Sequence, residues 1–307
     1  MDNLIIDGNN IAHMAFGIAP LQFNGQRTEL IKVGLNMISA YLNEFYPNNV
    51  KIVWDGGHDS YRTKLYPDYK RKKKELTDAE LSEKNIFFSQ LGALRQCLHL
   101  LGITQYFCKG READDVIFTI LKKMLIDNEV NTAVLISTDQ DMLDLFNTSE
   151  YLLIYSPIKK KLINKKSAED MLGFPITYFK MYKAISGDPS DNLPGIYGIG
   201  PVGAKKIIKD FINEKFNPLH DTVSKLFVEQ QEVYDQQLEL VSLREIPYNE
   251  IVAGKISDDI AVEDVFQNAI TIFKQYGFGI DNLGKFILPY DRYIRLRNKE
   301  RWMDKWI

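Results

Sequence analysis

The apolar residues fall into short runs separated by longer stretches with a helical repeat. Asn3 to Ile6, Lys51 to Trp54, Ile103 to Phe107, Ala133 to Ile136 and Tyr151 to Tyr155 read as buried strands. Between them, Glu29 to Tyr46 carries Leu30, Val33, Gly34, Met37, Ile38, Tyr41, Leu42 and Phe45 on one side of a helix. Lys84 to Leu101 does the same with Phe87, Phe88, Leu91, Leu94, Leu98 and Leu101, and a third stripe begins at Ala113 and runs through Val116, Ile117, Ile120, Leu121 and Met124. Strands alternating with helices predict an α/β fold with a mainly parallel, doubly wound sheet, a class that places its sites beyond the carboxyl ends of the strands.

Acids stand at those ends. The first strand ends in Asp7-Gly8-Asn9-Asn10, the second in Asp55-Gly56-Gly57, the third is followed by Glu112-Ala113-Asp114-Asp115, and the fourth by Ser137-Thr138-Asp139-Gln140-Asp141. A further pair, Asp188 and Asp191, follows in Ser186 to Asn192. Taken singly, such acids suit the first turn of a helix, whose positive end they complement. Independent caps have no need to share one edge of a sheet, however. Carboxylates this close repel and raise one another's pKa unless something cationic compensates, and a bound metal does that.

Composition sets bounds on this picture. The 307 residues are 45% hydrophobic and 26% charged, as in ordinary globular proteins, and suffice for one large domain or one with a smaller satellite. No apolar run is long enough to span a bilayer and the start, Met1-Asp2-Asn3-Leu4, lacks the basic opening of a secretory signal, so the expectation is a cytoplasmic protein without a membrane partner. The two cysteines, Cys97 and Cys108, have neither metal-type nor redox-type spacing and read as core thiols. A net charge of −3 argues against nucleic acid until its distribution is considered. The cations are concentrated in Lys70 to Lys74, in Lys159 to Lys161 with Lys165 and Lys166, and in Arg292 to Arg301; acids that hold metal would leave a phosphate backbone facing a far more positive surface.

Two stretches differ in kind from the rest. Tyr61 to Lys84 is basic and rich in tyrosine, with Tyr69-Lys70-Arg71-Lys72-Lys73-Lys74 at its centre; rings can stack on bases while cations follow phosphates. The plainer reading of such a run is a solvated face. Pro194 to Ile208 is a glycine-rich turn, with Gly198, Gly200 and Gly203, feeding a short helix that starts beside Lys205 and Lys206. Its free N–H groups suit a phosphate, and equally a plain helix–turn–helix corner. Beyond Asn213 the chain reads as amphipathic helices around Leu226 to Leu243 and Val262 to Phe273, then a basic tail with Trp302 and Trp306 that folds back on the body.

In this order and spacing, these motifs resemble the 5′-nuclease family, which includes flap endonucleases, phage 5′-exonucleases and the N-terminal nuclease domain of bacterial DNA polymerase I. The pieces are Ile6 to Asn10, Trp54-Asp55-Gly56, Tyr69-Lys70, Glu112 to Asp115, Ser137 to Asp141, Gly187 to Asn192 and Gly195 to Ala204, covering Leu4 to about Phe211. The resemblance implies a nuclease core over residues 1–185, with a helical arch at about 60–84, and a helix-three-turn-helix with a C-terminal helical DNA-binding region over 186–307. It implies one magnesium ion among Asp7, Asp55, Glu112 and Asp114 and a second among Asp115, Asp139, Asp141, Asp188 and Asp191. Oxygen-only ligands favour magnesium, or manganese in its place. Asp115, about 100° further round the helix start than Asp114, is expected to reach the second ion.

By the same resemblance Lys70 looks like the family's catalytic lysine, with Arg71 or Lys73 assisting it, and Tyr69, Lys72 and Lys74 join the DNA-binding set. The turn with Gly198, Gly200, Gly203, Lys205 and Lys206 grips the duplex backbone and takes a potassium ion. The activity implied is structure-selective 5′-3′ exonuclease and flap endonuclease cleavage, on branched or nicked DNA with a 5′ single strand and on RNA–DNA primer junctions. A monomer recruited by a single-stranded-DNA-binding protein or sliding clamp, in a bacterial cell or phage-infected host, completes the expectation. Two alternatives stand beside it. One is a catalytically silent binder of branched DNA. The other is a haloacid-type phosphatase, which wants a second aspartate where Asn9 stands.

Overall fold

A computed structural model describes residues 2–71, 75–127, 132–254, 262–279 and 282–304. The chain opens with β1 (Asn3–Asp7) and α1 (Gly8–Phe16), a small hairpin of β2 (Gln22–Phe23) and β3 (Gln26–Arg27), α2 (Glu29–Phe45) and β4 (Asn49–Val53). It continues through α3 (Ser60–Leu65), α4 (Asp78–Leu100), β5 (Thr104–Phe107), α5 (Ala113–Ile126), β6 (Ala133–Ile136), a 3-10 turn at Asp141–Asn147, β7 (Leu152–Ser156) and β8 (Lys161–Ile163). The second half is mostly helical: α6 (Lys165–Leu172), α7 (Phe179–Ser186), α8 (Pro201–Ile212), α9 (Thr222–Glu229), α10 (Gln231–Val241), β9 (Val252–Gly254), α11 (Val262–Tyr276) and α12 (Leu283–Asp304).

The sheet runs β8-β7-β6-β1-β4-β5-β9, parallel through its five central strands and antiparallel at both edges. The expected mainly parallel α/β core is therefore present. Asp7 lies level with Val53, and Ile6 level with Ile136, so β1, β4 and β6 end together and bring their acids to one edge. Continuous apolar strands such as Leu4-Ile5-Ile6 are buried on both faces, and each face has its own core. One joins α1, α2, α4, α11 and α12; the other joins α5, the 3-10 turn, α6 and part of α7. No described helix is long and apolar enough to cross a membrane.

Several expectations change in detail. The helix expected from Lys84 begins at Asp78, six residues earlier, because Thr77 and Glu80 form a reciprocal capping box. Phe88 is exposed rather than packed on the body. On α2 the buried stripe takes in Leu35 and leaves Val33 and Met37 half-buried. The α11–α12 pair, grouped by sequence with the DNA-binding half, belongs to the first core: Tyr290 is fully buried and donates through its hydroxyl to Leu35 O at 3.0 Å. The tail thus folds back on the body up to Arg297, which donates to Gly102 O at 2.9 Å. The side chain of Trp302 and all of Trp306 lie outside the described residues.

Candidate metal centre and duplex grip

The acids at the sheet edge are placed by their neighbours in sequence. Asp7 caps α1, accepting from Asn10 N at 3.0 Å and from Ser137 Oγ, at the end of the adjacent strand, also at 3.0 Å. Asn9 ties the next strand in: its Nδ2 donates to Asp55 at 2.7 Å and its Oδ1 accepts from Asp55 N at 3.1 Å. Asp55 also accepts from Ala113 N at 2.8 Å, which fixes the start of α5 over the end of β4. This convergence requires glycine at position 56, where a Cβ would fall 1.7 Å from Cys108 O. Asn10 closes the ring by exchanging hydrogen bonds with Thr138. The Gly8-Asn9-Asn10 turn therefore orients the carboxylates of Asp7 and Asp55 and ties in the chain just after a third strand at Thr138.

Their electrostatics show a group only partly compensated. Burial pushes the Asp7 carboxyl up to about 7 against the opposing hydrogen bonds from Asn10 and Ser137, and Asp55 and Asp139 add to the rise. Burial also raises Asp114 well above the usual carboxylate range, with Asp139, Asp7 and Glu112 contributing. Asp55 is raised too, chiefly by desolvation in the cleft. Burial and mutual repulsion thus favour the protonated carboxyls, and the nearby Lys70 ammonium offsets the rise only in part at Asp55 and Asp114.

A second set of acids faces the first across a cleft of about 290 Å³. Oxygens of Asp141, Asp188 and Asp191 come within 4.8 Å of one another, and Asp139 joins them to the first set, since its carboxylate accepts from Asp141 N at 2.8 Å. A lysine that the sequence reading passed over sits here. Lys183 Nζ lies 2.6 Å from Asp141 and 2.5 Å from Asp188. Burial still takes Asp141 up to about 6 despite Lys183, while for Asp188 the bonds from Lys183 and Ser190 outweigh burial and hold it below the usual range. In sequence Lys183 is an ordinary base in the last turn of α7, and only the fold sets it between two acids.

Lys70 spans the two sets, with Nζ 2.6 Å from Glu112 and 3.7 Å from Asp191. Its backbone is left-handed, at φ +51°, and is held there by a hydrogen bond from its N–H to Asp191 O. Arg71 is exposed and pairs with Asp68. Lys72, Lys73 and Lys74 lie outside the described residues.

Four expected roles are corrected. Tyr69 is no stacking platform: it is 2% exposed, and its hydroxyl lies 2.9 Å from Glu112 and 3.2 Å from Asp191, joining the two acid sets from beneath. Asp115 does not face the cleft. It is fully buried and receives the Arg62 guanidinium on both oxygens, at 2.7 and 2.9 Å, because the step of one residue that leaves Asp114 at the cleft turns Asp115 into the core. Lys205 donates to Leu172 O at 2.9 Å and Lys206 pairs with Asp221 and Asp210, at 2.7 and 3.1 Å, so both lysines at the glycine-rich turn are already engaged.

The turn itself is stiff. Gly187 and Gly195, both at positive φ, pass so closely that a Cβ on either would fall within 2.5 Å of the other segment's backbone. Gln230 on the α9–α10 junction clamps Tyr197, accepting from its N–H and donating to its carbonyl at 3.0 Å each. Gln237 accepts from Gly195 N at 3.3 Å. Exposed at the tip are Tyr197, Gly198 and Gly200, ahead of α8, and Val202 in its first turn, with Gly203 packed on Ile199. A small core of Ile185, Ile196, Ile199, Ala204, Ile207 and Phe227 supports it.

Comparison with known proteins places this architecture. Residues 2–173 match the family model described as the 5′-3′ exonuclease, N-terminal resolvase-like domain. The chain is 27% identical over 245 residues to a 5′-3′ exonuclease of Mycoplasmopsis pulmonis, covering 79% of this chain and 78% of that one. It is 30% identical over 210 residues to the flap endonuclease Xni of Shewanella woodyi, covering 68% of this chain and 77% of that one. In three dimensions it resembles the bacteriophage T5 flap endonuclease, solved in a pseudo-enzyme–product complex with DNA and metal ions; the TM-score is 0.66 at 20% identity, over 97% of this chain and 100% of that one. With the family model spanning more than half its length and a flap endonuclease matched across two thirds of it, the chain belongs to the 5′-3′ exonuclease and flap endonuclease family.

Proposed function

We propose that this protein is a divalent-metal-dependent 5′ nuclease that hydrolyses phosphodiesters where a 5′ single strand leaves a DNA duplex. The observation that carries the reading is the convergence of two acid sets on one cleft, the first with carboxyls raised by burial and mutual repulsion. Asp7, Asp55, Glu112 and Asp114 would hold one ion; Asp139, Asp141, Asp188 and Asp191 the other. All ligand atoms are carboxylate oxygens, a donor set that suits magnesium, with manganese as substitute, rather than zinc. When bound, such a pair of ions supplies Lewis acidity and positive charge to a phosphodiester.

The chain's own residues do the rest. Lys70, held in place by its backbone bond to Asp191 O, offers its ammonium to a phosphate once the charge on Glu112 and Asp191 is neutralised. That contact strengthens as negative charge develops, and so acts on the chemical step. The exposed N-terminal turn of α8 and the clamped glycine turn hold the duplex backbone without reading sequence, and the carbonyls of that turn are the proposed potassium site. Duplexes with a 5′ flap, nicked duplexes and RNA–DNA primer junctions all present the required end.

The test is cleavage of an end-labelled 5′-flap duplex in magnesium. Asp114→Asn and Asp141→Asn should each abolish cleavage while flap binding stays within about tenfold; retained turnover in either would overturn the metal assignment.

A further inference from the structure

Among the described residues, Arg62 is the most densely bonded side chain near the cleft, and its five hydrogen bonds all go to groups other than the proposed ion ligands. Its side chain is 4% exposed. Nη1 donates to Asp59 at 2.9 Å and to Asp115 at 2.7 Å, and Nη2 to Asp115 at 2.9 Å and to Ser242 O at 3.1 Å. Nε donates to Leu240 O at 3.0 Å, so all five guanidinium N–H groups are used. These partners lie on three different parts of the molecule: the residue that caps α3, the first turn of α5, and the carboxyl end of α10. Two more bonds reinforce the seam, Arg244 N to Asp115 at 2.9 Å and Ile246 N to Thr119 Oγ1 at 2.9 Å.

The far side of α10 holds the duplex grip. Gln237 on α10 and Gln230 just before it fasten Gly195 and Tyr197. A continuous path therefore runs from the glycine turn through α10 to Arg62, then to Asp115, next to the cleft acid Asp114. Tyr69 and Lys70, which cross between the acid sets, and Lys183, which sits within the second, bond directly to the cleft carboxylates. They must rearrange when cations and phosphate enter. Arg62 lines the same cleft and forms an ion pair with Glu112 at 3.5 Å, yet its five hydrogen bonds all go to Asp59, Asp115, Leu240 and Ser242 rather than to a proposed ion ligand. Those five hydrogen bonds need not break when cations and phosphate enter.

We propose that Arg62 is a positioning residue that sets the register of cleavage, by fixing the distance between the duplex grip and the acids on α5 and the sheet edge. The proposal rests on the nuclease reading above. A rigid seam delivers one phosphodiester to the cleft; a loosened seam delivers its neighbours as well. Misplacement on the scale of one ångström is enough to slow the chemistry about a hundredfold.

The test uses the full-length chain and a 5′-flap duplex labelled so that products resolve to single nucleotides. Arg62→Lys retains the buried positive charge opposite Asp59 and Asp115, but a single ammonium cannot also reach the carbonyls of Leu240 and Ser242. The wild type should cut at one dominant position. Arg62→Lys should spread its products over adjacent phosphodiesters and lower kcat at least about tenfold, with Kd for the flap duplex changed less than about threefold. A merely structural role would lower Tm and leave the cleavage position where it was, and that result overturns the proposal. Should Arg62→Lys fail to fold, Gln237→Leu loosens the same path at its other end without touching a charge. Widened products support the proposal, and an unmoved single product overturns it. If the wild type itself leaves the flap uncut, the nuclease reading falls and this inference with it; a wild type that cuts beside variants with unmoved register sinks this inference alone.

Discussion

The two halves of the acid cluster face one another but differ in how their charge is met. In the sheet-borne half the Lys70 ammonium sits against Glu112, and the carboxyls of Asp7, Asp55 and Asp114 are all raised, chiefly by burial. The helix-borne half encloses Lys183, which with Ser190 holds Asp188 low, while burial still raises Asp141 to about 6. The proposed first ion site thus meets an ammonium only at its Glu112 edge, while the second encloses the Lys183 ammonium, which an incoming cation would displace. On this view the first ion binds against protons and the second against a lysine, and the two steps should be separable by pH and by mutation.

The largest effect expected is on the sheet-borne side. Asp114 is crowded by Asp139, Asp7 and Glu112, so Asp114→Asn removes a ligand where the acids converge. It should lower kcat on a flap duplex by about a thousandfold or more, measured in single-turnover assays. Lys70→Ala comes next, with about a hundredfold loss in kcat and little change in KM, since its contact strengthens only as charge develops.

On the helix-borne side, Lys183→Met should move metal binding in the opposite direction. With the competing ammonium gone, magnesium binding to the second site, read by calorimetry at pH 8, should tighten several-fold, on the order of 1 kcal/mol. Weaker binding would mean that Lys183 organises Asp141 and Asp188 rather than competing for them. Either result changes the comparison between the halves.

The pH dependence of stability probes the sheet-borne half directly. A carboxyl raised in the folded state binds a proton that the unfolded chain has lost. Between the ordinary value of 3.8 and about 7 for Asp7, stability therefore falls as pH rises, and is lowest above that window. The Tm of the metal-free protein should rise by several degrees as pH is lowered from 8 toward 5.5. Magnesium, which binds the ionised form, should remove most of that rise, and Asp7→Asn should flatten it.

How much of this could be seen in the chain alone varies with the residue. Asp7, Asp55, Glu112, Asp114, Asp139 and Asp141 were legible because strand ends in a parallel sheet share an edge, a consequence of topology that the strand–helix alternation reveals. Asp115 was misplaced because adjacency in sequence says nothing about which face of a helix start meets solvent; its partner Arg62 is 53 residues away. Tyr69 beside Lys70 looked like a stacking ring, yet its burial depends on Leu193 and Leu240, which only the tertiary fold brings near. Lys183 was invisible for a similar reason, since Asp141 lies far upstream and its helix position is unremarkable. Lysines near a glycine turn suggested phosphate binding, and the acids that neutralise one of them, Asp210 and Asp221, were not weighed.

That last point gives the smallest expected effect, and it extends the comparison beyond the cleft. In the helical part of the chain, cations are matched to acids even at the proposed duplex grip: Lys206 pairs with both Asp210 and Asp221, and Asp221 is drawn down to about 2, first by its bond from Lys206. A lysine so engaged contributes little free charge to a phosphate backbone. Exposed ion pairs of this kind are themselves worth little to stability. Lys206→Ala should therefore change Kd for a flap duplex by less than about twofold and leave the salt dependence of binding nearly unchanged, whereas a lysine in contact with phosphate would reduce the slope of log K against log salt by about one unit. A clear drop in that slope for Lys206→Ala would show that the pair opens when duplex binds, so that the proposed duplex grip, like the cleft, exchanges partners on meeting its substrate.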